Sequence, residues 1–415
     1  MRELPLNLQL NEDDALYIQI YRGIRDEIMS GSILTGEKLP SSRNLASCLQ
    51  VSRTTVDEAY SQLVSEGYVE AVEKKGYFVC RLDGIYTVNG DREENINGSD
   101  FAPDTIIDSL KGTKKENIDR TISKKATPTE WLFDFSPMTT DMSEFPFSTW
   151  KKIMRGIMVD ARSSMFMMGS PQGDAELRNT ICRYLHGSRG VACSPDQLII
   201  GAGNDYLLLL LSRIIGNRRN IAMENPSYTR ACRMFSSMGS NVIPIDIDHN
   251  GIIPDKLRSS DADTVYLMPA HQFPMGFVMP ASRRAELIKW ASEDDDRYII
   301  EDDYDSEFRY KGRPVPSLQG NDRFESVIYV GTFSKSIAPA IRISYMVLPE
   351  RLIGRYRENC GFYSSTVSRI DQAILNEFIS AGYFERCLNK MRKRYKIKHD
   401  EMLEGLECFR CDFDI

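Results

Sequence analysis

The first eighty residues alternate between apolar stripes at helical spacing and short polar breaks. Tyr17, Ile20 with Tyr21, Ile24 and Ile28 recur at the three-to-four spacing of one helix face, and Ser30-Gly31 ends that run. Residues 40–49 read as a second, short helix begun at a serine cap. A third opens with Ser52 as its cap, carries Val56, Tyr60 and Leu63 on its buried face, and stops at Gly67. Two short helices separated by about three residues form a helix-turn-helix. Residues 68–72 and 76–79 flank the polar turn Glu73-Lys74-Lys75-Gly76 and predict a hairpin, so residues 1–80 read as a winged helix-turn-helix.

From 81 to 130 the periodicity fades and Asn, Asp, Gly, Lys and Thr dominate, the composition of a flexible linker. After Trp131 apolar runs at 197–201, 220–224, 241–245, 264–268, 297–304, 326–332 and 341–348 alternate with helical stretches. That order predicts an α/β domain over 131–415 with a mostly parallel, seven-stranded sheet.

Two of these runs end in chemistry. Ser326-Val-Ile-Tyr-Val-Gly-Thr-Phe-Ser-Lys335 reads as a buried parallel strand that delivers a lysine at or just past its carboxyl end, and Arg297-Tyr-Ile-Ile-Glu301-Asp302-Asp303-Tyr304 delivers carboxylates and a phenol. Ligands of open α/β sheets bind at those ends. A lysine, an acid and a tyrosine there are the parts that a pyridoxal phosphate (PLP) site needs. The lysine forms the Schiff base, the acid keeps the pyridine nitrogen protonated, and the phenol bonds the ring hydroxyl. Two blander readings stand beside this one. A lone strand-end lysine is usually solvated. The acids Glu301, Asp302, Asp303, Asp305 and Glu307 could hold a metal, but they lack the glycine and final glutamate of an EF-hand loop and have no histidine nearby. No metal is expected. Gly201-Ala-Gly203-Asn204, between a strand and the apolar helix at 207–215, suits either a phosphate cradle or a plain structural turn.

Composition narrows the class. With 415 residues, more than one domain is expected. A hydrophobic content of 42%, with no apolar stretch long enough to span a bilayer and no signal core after Met1, predicts a cytoplasmic protein without a membrane partner. Nine cysteines, odd in number and scattered, read as reduced thiols; Cys408-Phe-Arg-Cys411 lacks the second pair that a zinc site needs. The net charge of -7 does not advertise nucleic-acid binding, and residues 1–80 hold eight Lys or Arg against twelve Asp or Glu. Position offsets composition here. Lys38, Arg43 and Arg53 border the two short helices and Lys74 and Lys75 sit on the wing tip, which gives one basic face. Ser52, Arg53, Thr54 and Thr55 at the start of the third helix are placed to reach base edges.

The stretch Glu-Asp-Asp-Tyr-Asp-Ser-Glu-Phe-Arg309 with Gly331-Thr-Phe-Ser-Lys335 resembles the aminotransferase-like domain of the MocR/GabR family, regulators of the GntR group that carry a fold-type I PLP domain. Residues 36–46 with Val51-Ser-Arg-Thr-Thr-Val56 resemble the GntR-type DNA-binding domain, and the likeness runs over nearly the whole chain. It implies a PLP cofactor on Lys335, with Asp302 and Tyr304 in the roles given above. It favours the cradle at Gly203 and Asn204, adds Thr332, Ser334 and Arg342 as phosphate contacts, and makes Tyr228 the ring-stacking residue. It also implies a head-to-tail homodimer on a double-stranded DNA operator, with a small amine or amino acid as effector.

The chain departs from the family pattern in three places. His271-Gln-Phe-Pro-Met-Gly276 replaces Asn-Pro-Thr-Gly, so the asparagine's role passes to His271 or Gln272. Met168-Gly-Ser-Pro replaces Tyr-Gly-Asp-Pro, and a substrate-side tyrosine is missing. Ile415 precedes the position of the late arginine that grips a substrate carboxylate, so the small subdomain reads as incomplete: either the chain is shortened or that grip is missing, and in the second case productive transamination is not expected. A DNA reader and a cofactor site in one chain predict a PLP-dependent regulator that senses PLP or an amino compound through Lys335. The alternatives are a PLP-dependent aminotransferase acting on an amino acid, and a GntR-type regulator with a vestigial site.

Overall fold

The first helix, α1 (Leu16–Met29), puts Ile20, Tyr21, Ile24 and Ile28 into a small core, as the spacing predicts. This computed structural model describes residues 15–72, 75–80, 140–159, 163–309 and 316–410. The predicted linker at 81–130, Lys74 and Cys411 lie outside these residues. Helices α2 (Ser42–Leu49) and α3 (Arg53–Ser65) are each capped by serine: Ser41 Oγ accepts from the Asn44 N–H at 3.3 Å and Ser52 Oγ from the Thr55 N–H at 3.1 Å. Val56, Ala59, Tyr60 and Leu63 of α3 close the core against α1. The buried Tyr60 hydroxyl donates to the Pro40 carbonyl at 2.7 Å, so it is not left unsatisfied. Strands β1 (Val69–Val72) and β2 (Gly76–Val79) pair antiparallel, with Val69 opposite Val79 and Val72 opposite Gly76. The winged helix-turn-helix is complete.

The second lobe follows the chain order α4 (Phe147–Val159), α5 (Ala175–Arg189), β3 (Leu198–Gly201), α6 (Asn204–Ile215), β4 (Asn220–Asn225), α7 (Thr229–Ser237) and β5 (Asn241–Asp248). It continues with β6 (Gly251–Ile252), α8 (Pro254–Arg258), β7 (Thr264–Leu267), α9 (Ala281–Ser292), β8 (Tyr298–Asp303), β9 (Val327–Thr332), β10 (Ser344–Val347), α10 (Glu350–Cys360), α11 (Arg369–Ser380) and α12 (Tyr383–Leu406). The seven predicted strands form one sheet in the order β3-β10-β9-β8-β7-β4-β5. The two-residue β6, too short to leave a periodic signal, adds an eighth strand at the β5 edge. From β9 through β5 all neighbours are parallel, whereas β10 runs antiparallel to both β9 and β3.

Both faces of this sheet are covered, which is why its central strands read as unbroken apolar runs. Leu207, Leu211, Phe235 and Leu352, from α6, α7 and α10, pack with Tyr266, Ile300 and Ile328 on one face. On the other face α5, α11 and α12 pack over Tyr329 and Tyr345, and α9 covers Ile299 and Val327 with Leu287 and Trp290. No helix among the described residues is long and apolar enough to cross a membrane.

The winged helix rests on the start of α9. The Ala281 N–H donates to the Glu66 carbonyl at 2.9 Å, and Ala281 is buried in the winged-helix core. Glu66 itself is buried; its carboxylate accepts from the Tyr21 hydroxyl at 2.5 Å and from Gln62 Nε2. Gly67 turns the chain with φ +75°, and a Cβ there would lie 2.7 Å from Pro280 Cβ. Gly67→Ala is therefore expected to lower stability by about 2 kcal/mol, through backbone strain and the clash together. A urea midpoint equal to that of the wild type would contradict this packing of α9 against the winged helix.

Candidate cofactor site and DNA-binding face

Strand β8 ends in three consecutive acids, all buried, and the alternation of a strand sends them to different faces. Glu301 accepts from the Leu318 N–H at 2.8 Å and the Gln319 N–H at 2.9 Å. Asp303 pairs with Arg189 at 2.6 Å, both side chains 2% exposed, and also accepts from the Tyr329 hydroxyl. Asp302 points to the opposite face, where the Tyr266 hydroxyl donates to Oδ2 and Asn204 Nδ2 lies 3.4 Å from Oδ1. Two of the three acids are thus committed to holding the fold. Asp302 alone among them faces the amino-terminus of α6.

That terminus starts at Gly203, whose φ of +89° leaves room where the Arg342 guanidinium stands; a Cβ would overlap it. Arg342 is half exposed and held 3.5 Å from Asp205, which also pairs with Arg230. Thr332, the last residue of β9, accepts through Oγ1 from the Ser334 N–H at 3.2 Å and the Ser344 hydroxyl at 2.8 Å. The Ser334 hydroxyl is buried with no hydrogen-bond partner among the described residues. Helix-terminal N–H groups, two hydroxyls and a guanidinium make a donor set suited to a phosphate dianion, and the orphaned Ser334 hydroxyl suits the same group.

Lys335 follows directly. Its Nζ lies 5.8 Å from the centroid of the Tyr304 ring. The Tyr304 hydroxyl sits 3.3 Å from His271 Nδ1, and His271 is bonded to Asp305 at 2.9 Å. That carboxylate raises the His271 pKa, against the pull of burial. Of the two residues expected to take over the asparagine's role, Gln272 is occupied: its amide donates to the Pro226 and Phe273 carbonyls and accepts from the Met275 N–H. His271 remains half exposed at the site. Tyr228, half-buried at the start of α7, meets Phe273 edge-on at 6.2 Å, and Asp302 is close enough to help raise its phenol pKa. Lys335, Asp302, Tyr304, Tyr228, Gly203, Asn204, Thr332, Ser334, Arg342 and His271 therefore cluster at the carboxyl ends of β8 and β9 and the helix termini beside them.

On the winged helix, Lys38, Arg43, Ser52, Arg53, Thr54 and Lys75 are exposed and Thr55 is half-buried. Arg53 is 63% exposed and lies 3.4 Å from Asp57 one turn on, a contact too solvated to fix it. The Ser52 hydroxyl is engaged as the α3 cap and lies 2.8 Å from each of the Thr54 and Thr55 hydroxyls.

Sequence reading missed the partner roles of Tyr266, Asp205 and Arg189, and weighed Asp305 only as a possible metal ligand. Tyr266 is the only residue of β7 with a polar group at the end of a long ring, a weak signal within Thr264-Val-Tyr-Leu. The others carry no periodic signal.

Burial pushes the Asp302 carboxyl up to about 7, against the lowering bonds from Tyr266 and Asn204. An ordinary aspartate titrates near 3.9, as the unfolded chain would, so the folded protein holds this proton more tightly. Its contribution to stability is complete below about pH 4 and is lost as the pH rises through about 7. In the cofactor-free protein the Tm is expected to fall between about pH 5 and about pH 8, and Asp302→Asn is expected to show a smaller fall. Equal slopes in the two proteins would contradict a buried, cation-free Asp302.

Residues 16–79 match the family of bacterial regulatory proteins called the gntR family, and residues 138–415 match aminotransferase class I and II. The chain is 40% identical over 395 residues to YdeL of Bacillus subtilis, an uncharacterized HTH-type transcriptional regulator, covering 95% of this chain and 80% of the relative. It is 33% identical to the probable rhizopine catabolism regulatory protein MocR of Rhizobium meliloti, over 94% of this chain and 77% of that one. To the HTH-type pyridoxine biosynthesis transcriptional regulator PdxR of Corynebacterium glutamicum it is 30% identical, over 95% and 80% respectively. Among solved structures it resembles kynurenine aminotransferase of Pyrococcus horikoshii, with a TM-score of 0.57 and 28% identity over 65% of this chain and 69% of the other. An archaeal alanine:glyoxylate aminotransferase matches with a TM-score of 0.60 and 25% identity, over 66% and 70%. With a gntR-type reader and an aminotransferase-type lobe matched in order, and regulators of the same make-up similar along nearly its whole length, the chain belongs to the MocR-type HTH transcriptional regulators.

Proposed function

We propose that this regulator binds PLP through Lys335 and uses that site to sense PLP itself or a small amine or amino acid, acting as a cytoplasmic homodimer on a double-stranded operator. The observation that carries the reading is the meeting of Lys335, Asp302 and an anion-ready helix terminus at one end of the sheet. When bound, PLP supplies an aldehyde that amines add to and a ring that draws electrons from the amine carbon. The residues of the chain do the rest. Gly203, Asn204, Thr332, Ser334 and Arg342 hold the phosphate, with Asp205 aiming Arg342. Asp302 holds a proton on the pyridine nitrogen, and that cation would bring its carboxyl down from about 7 to the ionised form. Tyr304 and His271 bond the ring hydroxyl, while Tyr228 stacks on the ring face. An effector of the amine class would compete with the Lys335 amine for the PLP aldehyde carbon and would therefore be a primary amine, PLP itself being the other effector the site could sense.

DNA reading belongs to the other lobe, with Arg53 and Thr54 toward base edges and Lys38, Arg43 and Lys75 toward phosphates. Two variants separate the lobes. Lys335→Ala is expected to lose the visible absorption band of the PLP-loaded protein while keeping wild-type affinity, in the cofactor-free state, for the DNA upstream of its own gene. Arg53→Ala is expected to keep that band and to lose about 1 to 3 kcal/mol of DNA affinity. A band retained in Lys335→Ala would move the attachment point to another lysine. Unchanged DNA affinity in Arg53→Ala would remove Arg53 from the reading face.

A further inference from the structure

Two cysteines outside the cofactor site are brought together by the way α5 ends. Cys182 lies in the middle of α5, and Arg189, seven residues on, closes the helix. Seven residues of helix rise about 10 Å. Gly190, at φ +65°, then reverses the chain, and the Val191 N–H donates back to the Leu185 carbonyl at 3.4 Å. Val191, Ala192 and Cys193 then run back toward the middle of the helix. The out-and-back path sets Cys193 beside Cys182, with the two sulfurs 3.6 Å apart. Cys182 is buried and Cys193 is half-buried, so Cys193 is the more accessible residue of the pair. Among the described residues no other pair of cysteine sulfurs makes such a contact.

We propose that Cys182 and Cys193 are a thiol pair that a hydroperoxide converts to a reversible disulfide. The Cys193 sulfur attacks the O–O bond of the hydroperoxide, takes up OH as a sulfenic acid and releases water or an alcohol. The Cys182 sulfur then attacks Cys193, the S–OH bond breaks, and the hydroxide leaves as water with the remaining thiol proton. Two thiols are oxidised by two electrons and one hydroperoxide is reduced, so the sequence balances. Closing the bond requires the sulfurs to approach from 3.6 Å to about 2.0 Å. Cys193 donates its S–H to Cys182, which lowers the Cys182 pKa and raises that of Cys193, so Cys182 is the base that takes the Cys193 proton as Cys193 attacks the hydroperoxide. A thiol pair of this kind is consistent with a reducing compartment, where disulfides are transient and signal oxidation. The product would staple α5, the helix whose last residue Arg189 neutralises Asp303 beside the cofactor acid.

The test uses the full-length protein exposed to hydrogen peroxide, with remaining thiols alkylated and the chain digested by trypsin without reduction. The expected product is the peptide 179–183 joined to the peptide 190–213, with two alkylatable thiols lost per chain and both restored by dithiothreitol. Cys182→Ser should lose the cross-link and instead accumulate a sulfenic acid on Cys193 that dimedone traps. Cys193→Ser should leave Cys182 fully alkylatable. The proposal is overturned if peroxide carries Cys193 to the sulfinic acid with Cys182 still alkylated, or if the exposed Cys48 or Cys408 oxidises while the pair does not.

Discussion

Three adjacent carboxylates buried at the end of one strand, Glu301, Asp302 and Asp303, set the terms for the rest of the aminotransferase-like lobe. A carboxylate taken out of water without compensation costs several kcal/mol, so each must find partners. Glu301 finds backbone N–H groups and thereby holds the segment at 317–319 against the sheet. Asp303 finds Arg189 and Tyr329, tying α5 to β8 and β9. Asp302 finds neutral donors, Tyr266 and Asn204, and no cation among its described contacts. The fold thus gives Glu301 two N–H donors and Asp303 a cation, and among the described contacts it gives Asp302 neutral donors only. In the proposed function, the protonated pyridine ring of PLP would be the cation beside Asp302.

Much of this was legible in the sequence because periodicity and caps are local. The apolar stripe of α1, the serine caps of α2 and α3, the Gly67 stop and the seven runs that became strands follow from spacings of two to four residues. Lys335 and the acids were found because apolar runs that end abruptly in polar residues mark strand ends. Which of the three acids faces the site rests on strand alternation plus the identity of neighbours on β7 and α6, and that identity is tertiary. Tyr266 lies 36 residues from Asp302, and Arg189 lies 114 from Asp303. No window that reveals a helix or strand spans such distances. The two-residue β6 escaped because it is too short to leave a periodic signal, and the approach of Glu66 to Ala281 because it depends on where another element lies.

The same packing offers a physical route between DNA and cofactor. The end of α3 meets the start of α9 through Glu66, Gly67, Pro280 and Ala281. Leu287 and Trp290 of α9 pack on Ile299 of β8, the strand that carries Asp302. Contiguity alone does not make a switch. An effector shifts DNA affinity only if it binds the two arrangements of the protein unequally, and the coupling must then appear in both directions.

The central claim is that one chain joins an amine-sensing PLP site to a DNA reader, and it is tested most directly by fluorescence anisotropy on the DNA upstream of the protein's own gene. Full-length protein would be titrated without ligand, with PLP, and with PLP plus a panel of primary amines. The account predicts sequence-specific binding whose affinity differs between at least two of these states, by a factor on the order of 5 to 150 as two-site coupling ordinarily gives. Sequence-specific binding of equal strength in every state would contradict the coupling. No specific binding at all, together with turnover of an amino donor and a keto acid, would make the protein an aminotransferase instead.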